Sequence, residues 1–266
     1  MCTNIRNVAA KRYLYSPVNS NSVRDFKVEK KLAELESTLS FIWPKITTGF
    51  IDIYGDEDCR RAVSLFISIL CLRHPANLRD VGSIHKQLVA FLDQMSKDEN
   101  GDPLIDEVEI DGVVYKYDNS RFNEFKSLGK DGIQRMFVDH IYQYATKLAE
   151  TFMEKRWVIV FSEDPVFITS DTPVISENIF QYPFGFNTPG TMLFFPLTPT
   201  RILMMDDQAD QPSGHYYPLG KLKPSQVNFL LWRNCERFII SPRRTDHVFA
   251  EICEYAYLHA TGRDTP

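Results

Sequence analysis

Cysteine, histidine and long apolar runs are all scarce in this chain, and each shortage excludes something. The five cysteines, Cys2, Cys59, Cys71, Cys235 and Cys253, are odd in number and scattered, with no Cys-x-x-Cys pair. That spacing argues against a disulfide framework and a structural zinc site, and for reduced thiols in a cytoplasm. The six histidines form no His-x-x-x-His or His-Glu-x-x-His pattern, so no zinc-hydrolase helix is legible. No apolar run approaches the roughly 18 residues of a membrane-spanning helix. The first residues, MCTNIRNVAAKRYLYSP, lack the apolar core and small-residue site of a secretory signal. A formal net charge of −5 gives no global basic field for nucleic acid or an anionic membrane. Basic clusters such as Arg243-Arg244 are too small to replace it. A phosphate-binding Walker loop, a Gly-rich dinucleotide fingerprint, a Gly-x-Ser-x-Gly elbow and a kinase signature are all missing.

What is present is an ordered succession of elements. Residues 1–20 read as an extended arm. Val28, Leu32, Leu35, Leu39, Ile42 and Ile46 recur at helical spacing over 26–47, with Pro44 loosening the last turn. Gly55-Asp56 supplies a turn and a capping carboxylate for a second helix over 57–73. Between Ala62 and Leu72 only Ser64 and Ser68 interrupt its apolar character, which marks a central helix. A third helix over 76–96 carries Leu78, Val81, His85, Leu88 and Leu92 along one side. Alternation on both sides of Asp111-Gly112 predicts a β-hairpin over residues 108–117. A long helix over 131–155 follows, closed by Lys155-Arg156.

The chain then changes character. WVIVFSEDPVFITSDTP, residues 157–173, reads as two short buried strands joined by a tight turn and ending in a polar corner. Further strands are expected over 192–197, 201–205 and 237–241, and helices over 225–234 and 245–259. Two loops are expected, an aromatic one over 180–190 and a polar one over 206–220. The fold class is therefore α+β: a helical N-terminal half packed on a mainly antiparallel sheet from the C-terminal half, with a small projecting hairpin. No Pro/Gly/Ser linker divides the chain. One integrated domain over 1–266 is expected, helix-rich over 21–156 and strand-rich over 157–266.

Several segments, in this order, carry a likeness: NVAAKRYLYS, VEKKLAELE, LCLRHPANLR, WVIVFSEDPVFITSDTPV, FFPLTPTRILMM and VNFLLWRNCERFIISP. Together they span most of the chain. The TSDTPV corner followed by PLTP is the most specific part. In these segments the chain resembles the bacterial domain-of-unknown-function family number 4238. Members of that family usually begin with a His-His-x-x-Pro-like segment ahead of NVAA. This sequence starts beyond that point, so any chemistry those histidines carry is not expected in it. The resemblance implies a fold and an arrangement but no reaction. It is a likeness to proteins of bacterial and mobile-element genomes, which makes a role in phage conflict an expectation worth testing.

Four groups of residues are candidates for chemistry. Ser170 and Asp171, at the end of a buried strand, suit a general base, a metal ligand or a substrate anchor. The same residues before Thr-Pro also suit plain turn chemistry, each bonding its own backbone. Glu29 and Glu36, seven apart on one helix edge, offer paired carboxylates. Direct co-ligation of one metal wants a spacing of three or four, so solvated helix charges are the simpler account. Arg73 suits a phosphate or carboxylate grip, and beside His74 it also complements a helix C-terminus. Phe184, in the aromatic loop, suits a lid or a stacking surface for bases, against an ordered loop packed on its own side chains.

Two functions from different classes follow. In the first, a bacterial cytoplasmic hydrolase acts on a phosphate-bearing or nucleic-acid substrate between the helical and strand halves. Asp171, Ser170, Glu29 and Glu36 would do the chemistry, Arg73, His74 and Phe184 would bind substrate, and a divalent metal is a possible helper. In the second, the chain is a non-catalytic interaction module (inhibitor, adaptor or immunity-type protein), and the hairpin and aromatic loop meet a protein partner.

Overall fold

The computed structural model describes residues 14–18, 23–50, 55–95, 97–99, 107–110, 113–116, 122–178, 180, 185–220 and 223–261. The helices are α1 (Lys27–Thr48), α2 (Glu57–Leu72), α3 (Pro75–Asp93), α4 (Phe122–Lys126), α5 (Lys130–Glu154), α6 (Pro224–Arg233) and α7 (Thr245–Ala260). The strands are β1 (Glu107–Ile110), β2 (Val113–Lys116), β3 (Arg156–Phe161), β4 (Thr169–Ser170), β5 (Ile175–Asn178), β6 (Thr191–Thr198), β7 (Arg201–Asp206), β8 (His215–Pro218) and β9 (Ile239–Ile240). The class is α+β. The chain divides into two compact units, one formed by residues 1–12, 30–74 and 141–266, the other by 13–29 and 75–140.

The larger unit is built on a five-stranded sheet in the order β5-β6-β7-β3-β8. Its pairings are antiparallel except β3 with β8, which is parallel. Side chains alternate faces along a strand, and here both faces are covered. Trp157, Ile159, Leu193, Phe195, Leu197, Leu203 and Met205 meet Leu39 and Ile46 of α1, Val63, Ile67 and Leu70 of α2, and Phe152 of α5. Val158, Val160, Phe194 and Ile202 point the other way, toward Leu231 of α6 and Val248 and Ile252 of α7. Two-sided burial explains why WVIVF and RILMM read as continuous apolar runs rather than as alternating ones. Pro196 lies in an inner strand, where its missing N–H would break the ladder. The register of β6 against β7 shifts between Pro196 and Thr198, the kind of irregularity that accommodates proline.

Several local expectations hold. Asp56 caps α2, its Oδ1 accepting from the Cys59 N–H at 3.0 Å. The hairpin forms, with Ile110 paired to Val113 across a two-residue connection. α1 forms over Lys27–Thr48, close to the 26–47 that the apolar spacing predicts.

Other expectations are corrected. Residues 157–173 do not make a paired hairpin: β3 joins the large sheet, whereas β4 pairs with β9 in a separate ladder. Residues 206–220 are not all loop, because β8 lies within them. Ser213 and Gly214 start it, Ser213 Oγ accepting the Trp157 N–H at 3.0 Å and the Gly214 N–H reaching the Trp157 carbonyl at 2.7 Å. Gly214 has φ +76° there, a left-handed conformation that favours glycine. The strand expected over 237–241 shortens to Ile239–Ile240. The C-terminal carbonyls of α5 are met not by Lys155 or Arg156 but by Arg60, which donates to Met153 and Lys155 while lying over the Trp157 ring.

Among the described residues of this unit, charged side chains are buried with partners. Lys155 donates to Asp207 at 2.6 Å and to the Thr191 carbonyl at 3.0 Å. Arg156 and Asp206 form a two-pronged pair at 2.8 and 2.6 Å, which pushes the guanidinium pKa further up. Arg201 sends its guanidinium to the end of α1, to the carbonyls of Ile46 at 3.0 Å, Gly49 at 2.5 Å and Thr48 at 3.4 Å. The rings of Phe50 and Tyr216 lie against it. A cation at a helix C-terminus also complements the helix dipole.

In the smaller unit, Gly82 of α3 lies against Ile133 of α5, and buried His85 bonds the Phe125 carbonyl at 2.8 Å. Asp93 receives Lys126 at 2.6 Å and Lys97 at 2.8 Å, and these two bonds lower its carboxyl pKa. Only part of the expected N-terminal arm falls on described residues. It is tied down there by Gln134, which donates to the Leu14 carbonyl, and Arg135, which donates to that of Val18. Leu88, expected along one side of α3 with His85, is exposed with Ile84 and Phe91.

Candidate functional site

The polar corner after β4 is placed by the short β4–β9 ladder, in which Thr169 faces Ile240 and Ser170 faces Ile239. That pairing carries Asp171 alongside the segment between α6 and β9. Its own N–H donates to the Phe238 carbonyl at 3.1 Å. Its carboxylate accepts the Glu236 N–H on Oδ1 at 3.1 Å and the Arg237 N–H on Oδ2 at 2.9 Å. Both oxygens are thus engaged by backbone donors, a charge-assisted arrangement.

The neighbours repeat the theme. Ser170 Oγ accepts the Thr172 N–H at 3.2 Å, the local turn that Ser favours. Thr172 Oγ1 donates to the Asn234 carbonyl, and Asn234 Nδ2 donates to the Val174 carbonyl at 3.3 Å. Cys235 points its Sγ at Asp171 Oδ1, 3.5 Å away. Burial first, then the Asp171 charge and hydrogen bond, push this thiol up to about 11. A thiol held protonated is a poor nucleophile near neutral pH. Chemically, the corner fastens one loop to one strand end.

A second polar group supports it from behind. Asn228 is fully buried, its Oδ1 accepting the Ile168 N–H at 3.1 Å. Its Nδ2 donates to the Val166 carbonyl and to Glu251 Oε1, both at 2.9 Å. Arg243 closes the group, reaching Glu251 Oε2 at 2.6 Å and the Val166 carbonyl at 2.8 Å. An amide satisfies an N–H and a C=O of one irregular segment at once, which lets Phe167 and Ile168 lie buried without strand partners.

The other candidates are carried by other elements. Arg73 is the residue that ends α2, its N–H donating to the Ile69 carbonyl at 2.8 Å, and His74 follows with its N–H to Cys71 at 3.4 Å. Arg73 is not among the groups bonded to Asp171. Glu29 is half-buried in the first turn of α1, and Glu36 is exposed on the same helix. Phe184 falls outside the described residues. Among the described residues, no group of three or more His, Cys, Asp or Glu side chains is arranged to hold a metal ion. No helix among them is long and apolar enough to cross a membrane.

The ends of the aromatic loop are fastened. Asn178 accepts the Phe180 N–H at 2.8 Å and donates to the Pro189 carbonyl at 3.1 Å and to Thr191 Oγ1 at 2.9 Å. Asp207 receives the Gly190 N–H at 3.0 Å. Phe186 packs edge-on against Phe152 in the core, with centroids 5.3 Å apart.

Sequence reasoning missed Asn228, Glu251, Arg243 and Arg201. An Asn inside the apolar run VNFLLW was the available signal for the first.

A family model described as "Protein of unknown function (DUF4238)" matches residues 2–245. The chain belongs to this family. The corner, Asn228, Arg243 and the whole five-stranded sheet fall inside the span that the DUF4238 model matches, and Glu251 lies just beyond it. Among curated proteins, and among solved structures, nothing matches the chain.

Proposed function

We propose that this DUF4238 protein is a non-catalytic interaction module that binds another protein. The observation that carries the reading is the engagement of Asp171. Its carboxylate is the strongest candidate for chemistry in the chain, and both of its oxygens already receive backbone N–H groups. A general base must be directed at the substrate proton, and this carboxylate is directed at the backbone of residues 236 and 237 instead. A carboxylate fastening a loop is suited to holding a surface in shape. Two places suit contact with a partner: the β1–β2 hairpin, where Val114 stands exposed, and the aromatic loop, where Phe180 stands exposed above its fastened ends.

The test is reciprocal co-purification from the native host with three variants. A partner held in fixed stoichiometry should persist with Asp171→Asn and be lost with Val114→Asp, or with residues 107–116 replaced by a Gly-Ser linker. Thermal melts of the same preparations separate lost binding from lost folding. If no partner is held, and turnover of a phosphate ester or nucleic acid disappears with Asp171→Asn in a protein that still melts normally, the hydrolase reading replaces this one.

A further inference from the structure

We draw no further inference here: the strongest candidate, the exposed apolar stripe of Ile84, Leu88 and Phe91 along α3, carries nothing because nothing in the structure shows what covers it.

Discussion

Replacing Asp171 with alanine removes two hydrogen bonds from a carboxylate to the backbone N–H groups of Glu236 and Arg237. Bonds to a charged group contribute about 1.5–3 kcal/mol each. Arg237 is exposed and Glu236 half-buried, so water replaces part of what is lost. The expected destabilisation is therefore about 2–4 kcal/mol, below the simple sum of the two bonds. In a chain of this size 1 kcal/mol moves the melting temperature by roughly 2–4 °C, so a fall on the order of 5–15 °C is expected. Asp171→Asn keeps one acceptor oxygen and sets an NH₂ against the other backbone donor, and should lose about half as much. Cys235 gives an independent local readout. At a pKa of about 11 only about 0.1% of it is thiolate at pH 8. Removing Asp171 takes away two of the three influences that raise it but leaves burial, the largest, so alkylation at Cys235, followed by peptide mass spectrometry at pH 8, should speed up measurably, by about two-fold or more. An Asp171→Ala protein with unchanged melting temperature and unchanged Cys235 labelling would refute the idea that this carboxylate is a fastening.

Arg201→Lys should destabilise by about 2–4 kcal/mol in urea titrations, because an ammonium does not reproduce a planar fork reaching three carbonyls between two rings; a loss under 0.5 kcal/mol would count against the cap. Asn228→Leu fills the same space but leaves the Ile168 N–H without its acceptor and the Val166 carbonyl with Arg243 alone, and should cost about 1–3 kcal/mol by the same measurement; a stabilised variant would contradict the account. Stability should also fall with rising alkalinity. Burial raises the Cys59 thiol to about 11 and the Cys71 thiol to about 12 from 9.0. The folded state therefore keeps protons that the unfolded chain releases; this stability is whole below pH 9 and is lost as pH rises toward 11 and 12. Cys71→Ala should flatten the melting-temperature profile above pH 9, and a profile as steep as the parent's would show that the thiol is not the source.

Much of the fold is legible because its local signals agree with one another. The Gly55-Asp56 cap, the apolar stretch of α2, the Asp111-Gly112 hairpin and the runs that become β3, β6 and β7 each follow from side-chain period or turn chemistry. The misses have a common physical cause, namely that pairing partners are set by tertiary structure. Residues 157–161 and the apolar stretch 166–168 that leads into Thr169–Ser170 both read as strands in sequence, yet only β9, some 70 residues further on, decides that β4 belongs to a separate ladder. β8, HYYP, is short, exposed and only an edge strand, so no alternation announces it. On α3 the apolar arc is wider than the face that packs, and no sequence pattern says which part stays uncovered. The site was legible only as a shortlist. Asp171 stood out correctly as the residue at the end of a strand, but its partners, the N–H groups of Glu236 and Arg237, are backbone atoms and leave no trace in residue identity. Arg73, Glu29 and Glu36 stood out by charge, and charges at helix ends and on helix edges are common wherever a helix meets water.

The most direct test of the central claim is native against denaturing mass spectrometry on freshly purified protein and its Asp171→Asn variant, both taken from the native host. The account predicts a non-covalent protein partner on both forms and no bound small molecule that depends on Asp171. A metal, nucleotide or oligonucleotide adduct present on the parent and absent from an equally folded Asp171→Asn variant would contradict it, and would put this corner at the centre of a reaction.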